Sequence, residues 1–215
     1  MNRRIRVQLR VDQGQQSRLE ALQQTFAKAC NVIAAIVQET HCWNRVALHH
    51  MAYKLVRERF PELGSQMACN AIYSVSLTSR QVYQSPASPF NITKLEGRPL
   101  PLLQFTPQAP VYFDRHTLSL REGELSMYTL DGRIRFQLGL SARQQVRFRE
   151  DRLREIVLTQ QAGHFYLEFE FHAKSGADAS GSGSPRHPEA TEPELSHIVV
   201  MNPSTGRDAP SAQHP

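Results

Sequence analysis

The chain has 215 residues, a formal net charge of +5 and only three cysteines. This length is enough for one or two domains with a hydrophobic core. None of the cysteines belongs to a Cys-x-x-Cys pair, and no apolar run approaches the roughly 18 residues of a membrane span. These features argue against a disulfide framework, a zinc ribbon and a membrane partner. We therefore expect a cytoplasmic protein without a metal or other cofactor.

Positive charge is concentrated in residues 1–172, which carry 22 basic and 15 acidic side chains, with arginine far more frequent than lysine. Arginine presents a planar fork that suits phosphates and base edges. The composition favours a polyanionic partner, and a merely solvated basic surface is the alternative.

The first predicted element is a strand over residues 3–11, in which apolar and polar side chains alternate. Its outer face carries Arg4, Arg6 and Arg10. Asp12 and Gln15 then form a capping-box pattern, and apolar residues recur at spacings of three and four up to Ile36. This pattern predicts a long amphipathic helix.

Two more helices are predicted before residue 84. Asn44 is a suitable N-cap for the second helix, whose inward residues would include Leu48 and Met51, and Pro61 would end it. A third helix is expected over roughly residues 63–83. Three amphipathic helices can bury one shared seam and form a small bundle.

Six prolines between residues 86 and 110 forbid a continuous helix, so this region is either an ordered crossing segment or a mobile loop. From residue 111 to 171 the pattern has a period of two. The Asp131-Gly132 pair predicts one hairpin turn, and Gly163 marks another. Residues 173–196 are rich in Gly, Ser, Pro and Glu, a composition typical of a disordered linker.

The predicted fold class is α+β: a small OB-like antiparallel β-barrel interrupted by an inserted three-helix bundle and followed by a disordered tail. The divisions are a first barrel strand (1–11), a helical lobe (12–84), the remainder of the barrel (85–172), the linker (173–196) and a tail (197–215).

Several short motifs match one known protein family in their order and mutual spacing. They are Ala29-Cys30-Asn31, the run Val-Arg-Glu-Arg-Phe-Pro-Glu-Leu at 56–63, Ser65-Gln66-Met67-Ala68, and the β segments from residue 111 to 136. Together they resemble the amino-terminal half of the TnpB (OrfB) family over about residues 3–172. TnpB proteins are transposon-associated, RNA-guided DNA nucleases related to the type V CRISPR effectors.

The resemblance implies a wedge barrel split by a recognition lobe, with a guide RNA and double-stranded DNA as partners. Matching the motifs places Gln66 and Asn70 on a helix that reads a DNA motif, with Gln104 and Thr106 as their counterparts on the barrel side. The candidates for contacts to nucleic-acid backbones are Arg4, Arg6, Arg10, Arg57, Arg80, Arg115, Arg133, Arg135, Arg143 and Arg147.

Residues 198–201 form an apolar run at the place where the family's RuvC nuclease domain opens. Asn202 then stands at the position of the first catalytic aspartate, and a neutral amide binds Mg²⁺ poorly. With only 13 further residues in this sequence, we expect no autonomous nuclease and no catalytic residues. The alternative is that residues 198–201 belong to a frayed tail without relation to RuvC.

The leading functional hypothesis is a nuclease-inactive TnpB-like protein. It would bind a structured guide RNA and a short DNA motif next to the target, and would act in repression or complex assembly without cleavage. One alternative is the recognition half of a split endonuclease whose RuvC domain lies on another chain. Another is a decayed transposon-protein fragment. A homodimer is also compatible with the sequence.

Overall fold

The computed structural model describes residues 4–121, 123–151, 153–171 and 195–201. The helices are α1 (Gln13–Thr40), α2 (Arg45–Arg59), α3 (Gly64–Gln84) and α4 (Ala142–Glu150). The strands are β1 (Arg4–Gln8), β2 (Leu102–Phe105), β3 (Val111–Phe113), β4 (Leu118–Arg121), β5 (Glu124–Thr129), β6 (Gly132–Gln137), β7 (Leu153–Gln161), β8 (His164–Phe171) and β9 (Ile198–Met201). The α+β class is confirmed.

In the described residues the strands form three antiparallel sheets, ordered β1-β8-β7-β3, β2-β9 and β4-β5-β6. The first strand joins the last hairpin as predicted, because β1 pairs with β8 along its whole length. None of these described sheets closes into a barrel, so the predicted OB-like closure is not seen there. Among the described strands, β1 and β3 are opposite edges of one sheet, and β4, β5 and β6 pair only with one another.

Helices α1, α2 and α3 follow β1 in the chain and pack against one another. Helix α1 begins at the predicted capping box, in which the Asp12 side chain accepts a hydrogen bond from the Gln15 backbone N–H at 2.8 Å. Asn44 caps α2. The prediction that Met51 points inward is wrong, since it is 39% exposed. The buried stripe of α2 is Leu48, Ala52 and Val56, one residue every four.

The proline-rich segment is an ordered crossing, because α1 and α3 hold its backbone. Gln38 Nε2 donates to the Leu100 carbonyl at 3.1 Å, and the Tyr83 hydroxyl donates to the Pro101 carbonyl at 2.6 Å. Asn31 donates to the Phe105 carbonyl at 3.1 Å and accepts from the Phe105 N–H at 2.6 Å. This pair of bonds lets a helix side chain act as a strand partner for β2.

The four-stranded sheet has one apolar and one polar face. Ile5, Phe169 and Ile156 lie in register across β1, β8 and β7 and are buried. The opposite face begins with Arg4 and Arg6, which are exposed. This alternation places the core on one side of the sheet and leaves a charged surface on the other.

Helix α4 was not predicted. Its start is marked by a second capping box, in which Ser141 Oγ accepts a hydrogen bond from the Gln144 backbone N–H at 3.3 Å. Most of the predicted linker, 173–194, lies outside the described residues, as do Asn202 and the remaining tail. Residues 198–201 are strand β9, which pairs with β2.

Candidate nucleic-acid interface

Gln66 and Asn70, the expected DNA-motif readers, both serve the contact between α3 and β3. Gln66 is half-buried, and its Nε2 donates to Oδ2 of Asp114, just past the end of β3. Asn70 is only 6% exposed and donates to the Tyr112 carbonyl at 3.0 Å. Asn70 therefore links helix α3 to strand β3 from a buried position, where its side chain is not exposed to a DNA duplex.

Gln104 and Thr106 belong to a different pair of elements. Gln104 is exposed on β2, opposite Val199 of β9. Thr106 is half-buried just after β2, and its N–H donates to the His197 carbonyl at 3.0 Å. Of the four residues, Gln104 has the most accessible side chain and is the strongest remaining candidate for a base contact.

Half of the ten predicted arginines converge on one place, a groove between β1 and α4. We call it the arginine groove and define it by Arg4, Arg6, Arg10, Arg143 and Arg147. It consists of two adjoining depressions of about 680 and 610 Å³ that share Arg6 and Gln144. Asp151 is the only carboxylate among its described lining residues. Five cations against one anion give the lining a net charge of +4.

Local structure explains why these side chains meet. β1 is an edge strand, so its second edge has no neighbouring strand in the described part of the chain. The capping box orients the start of α4, whose first residues carry Arg143 and Gln144. Helix amino termini bear a partial positive charge, which adds to the attraction for anions.

Two of the five arginines already have internal partners. Arg6 lies 3.5 Å from Glu168, donates to Gln161 at 2.7 Å and covers the Tyr166 ring at 4.0 Å. Arg147 pairs with Asp151 at 3.0 Å. Arg4, Arg10 and Arg143 are exposed, and no described carboxylate lies within 4.0 Å of them. These three are the most available for phosphate.

The other five predicted arginines lie elsewhere. Arg133 donates to the Ser126 carbonyl at 2.8 Å and Arg135 pairs with Glu124 at 3.2 Å, both on the β4-β5-β6 sheet. Arg115 is exposed beside His116. Arg57 donates to the Pro61 carbonyl at 3.1 Å, and Arg80 is exposed on α3. The ten predicted arginines therefore divide equally, with five lining the arginine groove and five on other surfaces.

Other site types have little support in the described residues. No group of three His, Cys, Asp or Glu side chains there is placed to hold a metal ion. Burial raises the pKa of the Cys30 and Cys69 thiols, which disfavours the reactive thiolate. Of the helices in the described part of the chain, none combines the length and apolarity needed to cross a bilayer.

Sequence reasoning missed a cleft on the outer face of the four-stranded sheet. Its most unusual group is Glu155 on β7, which lies half-buried and accepts from the Tyr73 hydroxyl of α3 at 2.7 Å. Desolvation is the main cause of a raised pKa for Glu155, and the Glu170 carboxylate adds to it. The sequence signal was a glutamate within a strand, which spacing alone does not distinguish from a solvated one.

A scan against protein-family models gave no match, and a search of curated proteins gave none either. The resemblance to TnpB proteins therefore stays a prediction, and support for a function comes from the geometry of the chain itself.

Proposed function

We propose that this protein binds a structured RNA and, together with it, a short DNA motif, and that it acts by occupying its target without cleaving it. The observation that carries the proposal is the arginine groove, whose described lining contains five arginines and one carboxylate residue, Asp151. Such a surface suits the closely spaced phosphates of a polynucleotide better than a small anion.

In this proposal the two recognition tasks are divided. Base pairing between a guide RNA and the target strand reads the sequence, while the protein holds the RNA backbone and checks the adjacent DNA motif. Gln104 is the motif-reading candidate whose side chain is exposed. Target occupancy would then repress a promoter or support assembly of a larger complex.

A second candidate function is the recognition half of a split nuclease, and strand β9 favours it. Its Val199 and Met201 are 51% and 41% exposed, and among the described residues β9 pairs only with β2. An apolar strand with an open edge is suited to accept another strand. A RuvC domain on a separate chain would supply both that strand and the carboxylates.

The decisive experiment is to purify the protein from its native host and sequence the nucleic acid that copurifies with it. We expect one discrete RNA species, and RNA at background level would contradict the proposal and favour a decayed fragment. The loaded protein is then mixed with Mg²⁺ and DNA that matches the bound RNA. Retention of intact DNA is expected, whereas cleavage by this single chain would refute action by occupancy.

A further inference from the structure

The sheet cleft is a depression of about 500 Å³ on the outer face of β1, β8, β7 and β3. Its lining includes Arg4 and Arg6 at one end and Tyr112 and Glu155 toward the other. Arg4 and Arg6 also line the arginine groove. The sheet cleft and the arginine groove therefore share Arg4 and Arg6, with the groove on one side of these side chains and the cleft on the other.

Register places the groups of the cleft in rows across the sheet. Arg4 is opposite Glu170, which is opposite Glu155. Adjacent strands lie about 4.8 Å apart, so Arg4 and Glu155 are separated by about 10 Å. This spacing is on the scale of one nucleotide measured from its phosphate to the far edge of its base.

In the next row, Val157 and Tyr112 supply an apolar floor beside the Arg6–Glu168 pair. Arg6 is opposite Glu168, followed by Val157 and then Tyr112. Val157 is half-buried, and Tyr112 is 8% exposed and meets Tyr73 edge-to-face with ring centroids 5.5 Å apart. A flat ring lying over Val157 would have its edge directed at the row that contains Glu155 and Glu170.

Glu155 has acceptor capacity to spare. Its Oε1 accepts the Tyr73 hydroxyl at 2.7 Å, whereas no described group donates a hydrogen bond to Oε2. Glu170 lies beside it, with Arg154 3.5 Å from its Oε1. Ionised carboxylates are acceptors only, so the cleft selects for a ligand edge that consists of donors.

Guanine meets this requirement better than the other bases. Its Watson–Crick edge carries two adjacent donors, N1–H and the 2-amino group, which match the two oxygens of a carboxylate. Guanine also has an acceptor, O6, but it lies on the other side of N1 from the 2-amino group, outside this pair of donors. Adenine, cytosine and uracil each have a single donor group on this edge with an acceptor beside it, so they cannot place two adjacent donors on a carboxylate. Proteins that read RNA commonly bind such edges on bases that have left the stack.

We propose that the sheet cleft receives one unstacked guanine of the bound polynucleotide, with its Watson–Crick edge on Glu155 and its phosphate at Arg4 and Arg6. This inference rests on the proposed function and adds a base preference to it. The arginines supply affinity for any sequence, and the carboxylate supplies the discrimination.

The test uses the full chain and short fluorescent oligouridylates that carry one central guanosine, inosine or adenosine. We expect the guanosine probe to bind about tenfold more tightly than the adenosine probe, as is typical for one bidentate base contact. Inosine lacks the 2-amino group and should fall between them. Glu155→Gln should remove the preference for guanosine and leave the salt dependence of binding unchanged. The local structure should be retained, because the amide oxygen still accepts a hydrogen bond from Tyr73.

Glu39→Gln is the matched control, since Glu39 is exposed on α1 outside the cleft and should retain the preference. Thermal unfolding of both variants verifies that they are folded. Binding of all probes with equal affinity would overturn the guanine site and leave the proposed function standing. If no probe binds, both fail. Tight binding of GMP alone, with no gain from flanking nucleotides, would overturn the polynucleotide as the source of the guanine.

Discussion

Removing two arginines of the groove should reduce the salt dependence of nucleic-acid binding by a defined amount. Arg10 and Arg143 are suited to this test because both are exposed and neither pairs with a described carboxylate. The double variant Arg10→Gln/Arg143→Gln removes two charges without emptying any buried volume. Each arginine that contacts a duplex phosphate contributes about −0.9 to the slope of log Kobs against log salt.

The expected magnitudes follow from the count of cations in the groove. If all five contact phosphates, the slope is about −4.5, and if only the three without internal partners do, it is about −2.7. A fourfold rise in salt then weakens binding about 500-fold in the first case and about 40-fold in the second. The double variant should have a slope smaller by about 1.8 in either case.

Fluorescence anisotropy with a short DNA duplex, titrated at salt concentrations from about 50 to about 200 mM, measures these slopes. Arg80→Gln is the control, because Arg80 is an exposed arginine of α3 outside the groove. The reasoning is refuted if the double variant keeps the parental slope, or if Arg80→Gln lowers the slope by as much. A slope near zero for the unmodified protein would reject nucleic acid as the ligand.

Two further predictions concern stability. Glu155 faces Tyr73, Glu170, Arg154 and Arg4, and desolvation raises the pKa of its carboxyl in the folded state. The folded protein therefore holds this proton more tightly than the unfolded chain does, so ionisation of Glu155 at neutral pH opposes folding. Glu155→Gln should therefore raise the melting temperature at neutral pH. The gain should shrink as pH falls through the raised pKa of folded Glu155 and be lost below the ordinary carboxyl pKa, where the folded and unfolded states are both protonated. A gain that is equal at neutral pH and below the ordinary pKa would contradict this account. Gly64 has φ of 72° and ψ of 161°, a region open essentially to glycine, and a Cβ there would lie 3.1 Å from the Tyr128 hydroxyl. Gly64→Ala should cost about 1–3 kcal/mol in urea unfolding, whereas Gly139→Ala, whose added Cβ meets nothing within 4 Å, should have a much smaller effect.

The parts of the fold that sequence predicts well are those fixed by local chemistry. Asp12 with Gln15 and Asn44 each satisfy backbone groups within a few residues, and each begins a helix where it was expected. The hairpin predicted at Asp131-Gly132 forms, but its turn is Leu130-Asp131, one residue earlier, because Thr129 pairs with Gly132. Helix α4 shows the limit of reading periodicity. It has no buried residue, so it lacks the apolar repeat that reveals a helix, and only Ser141 with Gln144 marked its start.

The parts that sequence did not predict depend on partners far along the chain. Asn31 was expected to be hydrogen-bonded within the fold, but neither its partner 74 residues away nor that of Gln38, 62 residues away, can be identified from spacing along the chain. The same holds for the candidate sites. Arginine counts indicated a polyanion, but Arg6 lines one depression with Arg143, and Glu155 contacts Tyr73, only after folding.

Strand β9 directly follows His197 in the chain, and among the described residues one of its edges is open. Thr106 bonds to the His197 carbonyl, so in an antiparallel ladder Val199 and Met201 direct their backbone groups at β2, while those of Ile198 and Val200 point away from it. His197 also lines the sheet cleft. A strand added at the outer edge of β9 would pair with Ile198 and Val200, next to the cleft residue His197, which Thr106 already holds.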